Sequence, residues 1–360
     1  MQGEGERYTF FGELEVDPLR IIRLVTALRN AAARGMLLCA FGRARRVATW
    51  RCVHRHPTSM DQQAGVTMSS FLDKRMGLAG KFAVILGGGG GLGRASAYDL
   101  SRAGVTVALL DRDQELLDET VQTIRGEGGK VALAELGDAR DPDVLTKFYK
   151  QVDEANGGKL DILINVVGGT FRQPFADTNP KGWDALMRTN FTWLLHATHQ
   201  AIPRIRATGR GGSIISFTSI EGHRAAPGFT IYAAMKAAVE NFTRTLALEL
   251  APEGIRVNTV APDITPTEGM RKLQAARPLE PRAAAITEAM AIPMGHFGVY
   301  DDVGGAVLFL ASDLSRYVTG TSIHPDGGTH ASSGWFNWPG DGYFNTPPEH
   351  VAKYLADKQG

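Results

Sequence analysis

Short apolar runs that end in glycine or an acid, each followed by an amphipathic stretch, recur from residue 81 to residue 324. The first, Lys81–Leu86, runs into glycines, as a buried parallel strand would. A helix is predicted over Leu92–Ala103, then a strand over Val105–Leu110 that closes at Asp111. The alternation continues with a helix from Asp113, a strand over Val131–Ala134, a helix from Pro142 and a strand over Leu160–Ile164. A long helix is predicted over Lys181–Arg206, ahead of a strand over Ser213–Phe217. A helix carrying Tyr232 then runs to Leu250, followed by strand Ile255–Val260, helix Asp301–Ser312 and strand Ser322–His324. This order predicts an α/β fold: a doubly wound parallel sheet of about seven strands, joined by right-handed crossovers, with helices on both faces. Ligands of such sheets sit beyond the carboxyl ends of the strands.

Composition narrows the class without naming a chemistry. A hydrophobic share of 43% suits a globular chain with a full core, and the net charge of +1 points to neither nucleic acid nor an anionic membrane. No apolar run reaches the ~18 residues of a membrane span. Cys39 and Cys52 both lie near the N-terminus, which argues against a disulfide framework or a metal cluster and suits the cytoplasm. The folded catalytic domain is placed at residues 78–330, between an N-terminal extension (1–77) and a C-terminal tail (331–360). Nine arginines, no lysine and no acid lie between Arg20 and His56, with an amphipathic helix conceivable over Ile21–Leu38. Acids at the very start (Glu4, Glu6, Glu13, Glu15, Asp17) argue against an organelle leader. A nucleic-acid arm over Arg43–Arg55, a disordered or loosely docked extension, and upstream sequence not normally made, with initiation at Met60, Met68 or Met76, are the other readings. The last is favoured.

Between the first strand and the first helix stands Gly87-Gly-Gly-Gly-Gly91-Leu92-Gly93. Glycines let the backbone turn sharply and approach a pyrophosphate, and a helix N-terminus supplies free N–H groups. That position is where a Rossmann-type dinucleotide fingerprint belongs, and the Gly-Lys-Ser/Thr of a mononucleotide loop is absent. Asp111 closes the second strand, where an acid accepts hydrogen bonds from the adenosine ribose. Its charge would repel the 2′-phosphate of NADP. Arg112 offsets this in part, but no base lies among Gly88, Gly89 and Gly90, so the predicted cofactor is NAD. Tyr232 and Lys236 share a helix face at i and i+4, with Ser219 thirteen residues upstream of the tyrosine. A cation beside a phenol lowers its pKa from ~10, which makes the pair a tuned acid/base.

Taken together, the glycine run, Asp111, Ser219, Tyr232 and Lys236 make residues 78–330 similar to the short-chain dehydrogenase/reductase family, in its compact branch. Asp326-Gly327-Gly328 matches that family's signature after the last strand, and Asn165-Val166-Val167-Gly168 matches its Asn-Ala-Gly signature in part. The resemblance implies a catalytic tetrad of Asn190, Ser219, Tyr232 and Lys236, and no metal. Tyr232 would take the alcohol proton, Ser219 hold the substrate oxygen, Lys236 lower the tyrosine pKa and bind the nicotinamide ribose, and Asn190 hold a relay water through its backbone. It also implies cofactor contacts at Asp138 (adenine), Asn165, and Pro262, Ile264 and Thr267 in the loop after the sixth strand. Asp263 departs from the family, which has glycine after the proline, and Leu86 stands where threonine is usual. A homo-oligomer, tetramer or dimer, is implied too. The four-residue Tyr–Lys spacing sets the chain apart from the enoyl-reductase relatives.

The implied activity is interconversion of a small-molecule secondary alcohol and ketone with NAD. The alternatives are an extended-branch epimerase or dehydratase, and a catalytically silent NAD-binding regulator. Within Thr265–Gly298, the family's variable substrate region, Met270, Leu273, Met290, Ile292, Met294 and Phe297 favour an apolar substrate, unless they only pack a helix pair onto the domain. Glu221 and His223 either line the substrate mouth or are surface polar residues. Trp335, Phe336, Trp338, Tyr343 and Phe344 crowd a loop-like tail, which is expected to pack across that mouth, on its own subunit or a neighbour's.

Overall fold

Seven parallel strands form one sheet in the order β3-β2-β1-β4-β5-β6-β7 in the computed structural model, which describes residues 68–266 and 280–357. The strands are β1 Phe82–Leu86, β2 Thr106–Asp111, β3 Lys130–Leu136, β4 Ile162–Asn165, β5 Gly212–Phe217, β6 Ile255–Val260 and β7 Ser322–Ile323. Every residue of β1 and β4 is buried, because helices cover both faces of the sheet. At the edge, β3 alternates exposed and half-buried residues. The strand order reverses beside β1, so the chain leaves the carboxyl ends of β1 and β4 toward opposite faces of the sheet and a crevice opens above them.

Helices α2 (Gly91–Arg102), α3 (Gln114–Gly126) and α9 (Tyr300–Ala311) bury one set of side chains, among them Leu100, Leu117, Ile124 and Val307, on one face. Helices α4 (Pro142–Asn156), α6 (Trp193–Arg206) and α7 (Thr230–Leu250) bury Phe148, Tyr149, Trp193 and Leu246 on the other. Asp113 caps α3 by accepting from Leu116 N, and Asp141 caps α4, where Pro142 occupies the first turn. These starts agree with the sequence to within a residue.

The predicted long helix Lys181–Arg206 is three pieces. Helix α5 (Pro180–Met187) and α6 are joined by a π-helical turn over Arg188–Thr192. Helix α1 (Met68–Met76), which the sequence assigned to the extension, contacts the turn Asp313–Ser315. Residues 1–67, with both cysteines and the arginine-rich stretch, lie outside the described residues.

The tail is more structured than a loop. It forms helix α10 (Thr329–Ser332), an antiparallel hairpin of β8 (Phe336–Trp338) and β9 (Gly342–Phe344), and helix α11 (Glu349–Asp357). Strand β8 packs on helix α8 (Pro281–Ala291) of the variable region, while Trp335, Phe336, Tyr343 and Phe344 remain exposed. Among the described residues, the tail does not line the crevice described next.

Candidate active site

A cleft of about 850 Å³ runs along the carboxyl ends of the strands, large enough for a dinucleotide and a small substrate. Its adenosine end is shaped by backbone. Gly87 adopts φ +90°, which a side chain would strain. A Cβ on Gly93 would lie 1.8 Å from the Gly87 carbonyl oxygen, so only glycine lets the helix start against the loop. The α2 cap, Gly90, makes no side-chain capping bond, and Gly90, Gly91 and Leu92 face the cleft. Bare N–H groups at a helix N-terminus are what a pyrophosphate binds.

Asp111 is held rigidly, its Oδ2 accepting from Gly89 N (2.8 Å) and its Oδ1 from Asp113 N (3.0 Å). Arg112 lines the cleft beside it. Asp138 also lines the cleft, but Arg140 grips its carboxylate with bonds of 2.5–3.0 Å and holds it below the usual carboxylate range. Arg140 in turn reaches Thr189 Oγ1 at 3.3 Å. The sequence reading missed Arg140, although an acid and a base two residues apart beyond a strand were a visible signal.

The catalytic end gathers residues from three segments. Ser219 follows β5 and caps the 3₁₀ turn Ile220–Gly222, its Oγ accepting from Glu221 N at 3.3 Å. Tyr232 sits in the first turn of α7, and Lys236 lies one turn on, its Nζ 5.6 Å from the tyrosine ring centroid. Lys236 is only 3% exposed and donates to the Phe217 carbonyl at 3.0 Å. Burial lowers its pKa to about 8, against the opposing pull of Glu240. In the chain alone the Tyr232 phenol lies above its ordinary value: burial raises it most, the Ser219 hydrogen bond opposes, and the Glu221 charge adds to the rise. The lowering assigned to Lys236 from the sequence is not among these influences on the phenol in the chain alone.

Asn190 lies within the π-helical turn and is buried behind the cleft. Its Nδ2 donates to Gly169 O (2.8 Å) and Leu186 O (3.0 Å), and its Oδ1 accepts from Gly169 N (3.2 Å). The side chain therefore clamps the loop after β4. A Cβ on Gly168 in that loop would stand 3.2 Å from both Asn190 Oδ1 and Lys236 Nζ.

Of the residues singled out in the sequence, Gly87, Gly91, Leu92, Asp111, Arg112, Asp138, Ser219, Tyr232, Lys236, Pro262 and Ile264 all line this cleft. Gly93 acts by steric fit beneath it. Asn165 is buried in the sheet, its Nδ2 bonding Thr198 (3.3 Å) and Ser216 (3.2 Å), and does not reach the cleft surface. Thr267, Met270 and Leu273 lie outside the described residues. Thr265, which sequence reading passed over as a cofactor contact, lines the cleft with a buried hydroxyl that has no partner among the described residues, as a cofactor-facing donor would. His223 turns inward, packing edge-on against the stacked rings of His324 and His330, with Nε2 3.2 Å from Glu240 Oε1. No group of acids, histidines and cysteines among the described residues has the geometry of a metal site, and no described helix is long and apolar enough to cross a membrane.

A family model described as enoyl-(acyl carrier protein) reductase matches residues 88–330. A 3-oxoacyl-[acyl-carrier-protein] reductase of Thermotoga maritima is 36% identical over 253 residues, covering 70% of this chain and 99% of that protein. A 3β-hydroxysteroid dehydrogenase of Eggerthella lenta is 35% identical over 252 residues, covering 70% and 94%. Among solved structures, a 3-oxoacyl (acyl-carrier-protein) reductase of Agrobacterium tumefaciens with NADP bound superposes with a TM-score of 0.67 at 26% identity, covering 73% of this chain and 99% of that one. With a glycine-cradled crevice leading to Ser219, Tyr232 and Lys236, this chain belongs to the short-chain dehydrogenase/reductase family of NAD(P)-dependent oxidoreductases acting on CH–OH groups.

Proposed function

We propose that the chain is an NAD-dependent dehydrogenase/reductase that interconverts a secondary alcohol and a ketone, with Tyr232 as general acid/base. The observation that carries this reading is the placing of Ser219, Tyr232 and Lys236 in one cleft with the glycine loop and Asp111. The loop Gly87–Leu92 and Asp111 would hold the pyrophosphate and adenosine ribose, and Ile264 and Thr265 the nicotinamide end. A nicotinamide held there would supply hydride transfer to or from the substrate carbon. In the oxidative direction the carbinol C–H bond breaks as the hydride leaves, and the hydroxyl proton passes to the Tyr232 oxygen. Ser219 donates to the substrate oxygen and steadies the charge that grows there. Lys236 supplies a cation one helical turn from the phenol. Because the Asn190 side chain is fully engaged with Leu186 and Gly169, any relay through this residue uses its main-chain carbonyl.

Asp111 supports NAD over NADP, since its fixed carboxylate would face a 2′-phosphate. Chemistry on a carbonyl rather than an enoyl double bond is supported by the four-residue Tyr–Lys spacing. A cytoplasmic homo-oligomer is part of the same reading and rests on family resemblance. The test is NADH formation by the purified full-length protein across an alcohol panel, run beside Tyr232→Phe. Equal turnover by that variant, or equal efficiency with NADP, would refute the mechanism or the cofactor choice respectively.

A further inference from the structure

The substrate end of the cleft is charged in a way that the family resemblance does not account for. Asp263 stands where the family has glycine, and its side chain, only 11% exposed, lines the cleft. Arg224 also lines it, with one guanidinium nitrogen 2.9 Å from Glu221 Oε1 and 4.0 Å from Asp263 Oδ2. Glu221 completes the row and is near enough to Tyr232 to act on its phenol. Asp326 faces the same guanidinium. Burial raises the Asp263 carboxyl, while Arg224 and a hydrogen bond from Thr329 oppose the rise. Two carboxylates and one guanidinium thus share the walls of the space into which a substrate beside Ser219 and Tyr232 must project.

That arrangement discriminates between substrate classes. A wholly apolar substrate would strip water from three ions and return no hydrogen bonds, and such desolvation is costly for each ion. A substrate carboxylate would meet Glu221 and Asp263, while the guanidinium between them, Arg224, is already shared by both. An ammonium would have to compete for Glu221 and Asp263 with Arg224, which already pairs with both. Uncharged hydroxyls fit, because each can donate to a carboxylate, and hydrogen bonds to charged acceptors are the stronger kind.

We infer that the substrate is a small, uncharged, polyhydroxylated alcohol or ketone, with Asp263 and Glu221 accepting hydrogen bonds from hydroxyls on carbons next to the reacting one and Arg224 fixing both carboxylates. This rests on the dehydrogenase reading above and replaces the apolar substrate expected from sequence.

The experiment compares kcat/KM of the full-length protein with NAD for cyclohexanol, the vicinal cyclohexanediol, inositol and hydroxycyclohexanecarboxylate. The hydroxylated rings should exceed cyclohexanol by about 10-fold or more, the value of one charge-assisted hydrogen bond, and the hydroxy acid should be poorest. Asp263→Asn, which keeps the shape, and Glu221→Gln should each shrink the polyol preference toward unity, mainly through a higher KM for polyol. If the two acids merely anchor the loops, the variants will lose efficiency on every probe alike and leave the preference unchanged, which overturns the inference. Cyclohexanol or the hydroxy acid matching the polyols in the unmodified protein also overturns it. Turnover without the preference sinks this inference alone, whereas no turnover with any probe sinks the dehydrogenase reading with it. NAD binding by each variant, followed by fluorescence quenching, shows that the fold is kept.

Discussion

The two ends of the cleft are made of different material. At the adenosine end the backbone does the shaping: Gly87 turns with positive φ, Gly93 admits the helix start, and Gly90 leaves N–H groups bare. At the substrate end side chains do it, with Glu221, Arg224 and Asp263 brought in from two loops far apart in sequence. Backbone demands are met by one residue type at fixed spacing, so such an end admits little variation. Side-chain walls can change one residue at a time while the sheet beneath stays the same. A family with this division can keep one cofactor chemistry and vary its substrates.

The sharpest way to break the comparison is at the residue joining the two ends. Tyr232→Phe removes the proton acceptor and should lower kcat by about 10²–10⁴-fold with NAD binding unchanged, as read by steady-state rates and fluorescence titration. Gly93→Ala attacks the backbone end. With its new carbon 1.8 Å from a carbonyl oxygen, the loop must move, and a thermal melt should show a loss of about 3 kcal/mol or more along with weakened NAD binding.

Lys236→Met should act in the opposite sense on stability. The buried ammonium, with a pKa lowered from 10.5 to about 8, costs the folded chain about 3 kcal/mol at neutral pH, at 1.36 kcal/mol per unit. The variant should therefore melt higher than the parent at pH 7 while losing turnover. Above pH 8 folded Lys236 sheds its proton before the unfolded chain does, so the parent gains stability and the gap should close toward pH 10.5. A gap that stays flat across that range would sever the link to Lys236 burial.

Asp111→Ala should cut the NAD:NADP efficiency ratio by about 10–100-fold, matching the loss of charge-assisted bonds and of repulsion against a 2′-phosphate. An unchanged ratio would hand the selectivity to Arg112. The smallest effect belongs to Glu221→Gln on pH dependence. Glu221 raises the Tyr232 phenol, so its removal should move the acid limb of alcohol oxidation to lower pH, by less than one unit. A shift upward would contradict the placement of that charge.

The sheet, the glycine loop and the Ser219–Tyr232–Lys236 set were legible because each is a local pattern: apolar runs of strand length, glycines at a strand–helix junction, an i,i+4 pair. The break at Arg188–Thr192 was not legible, since neither proline nor glycine marks it. It coincides with the bonds from Asn190 to Gly169, a partner twenty-one residues away. Asp138 was legible as an acid beyond β3, but its pairing with Arg140 was not. Asn165 was read as a cofactor contact from its match to the family's Asn-Ala-Gly signature; its Nδ2 donates to Thr198 and Ser216 within the sheet, and its Oδ1 has no partner among the described residues. Asp263 was seen only as a departure from pattern, because Arg224 reaches it across nearly forty residues of chain. The aromatic tail was expected to cross the substrate mouth of its own subunit or a neighbour's, and its hairpin packs on α8, a helix of the variable substrate region.

Gly168 has a consequence for how this sequence can drift. One added carbon there would crowd Asn190 Oδ1 and Lys236 Nζ, each at 3.2 Å. Three positions distant in the chain thus share a single allowance of space, and none of them can spend it alone. An alanine at 168 fits only if Asn190 Oδ1 and Lys236 Nζ each give way by a few tenths of an ångström, and both are held by hydrogen bonds to the main chain. The history open to Gly168 is written by its neighbours' duties, although the glycine touches no proton and carries no charge.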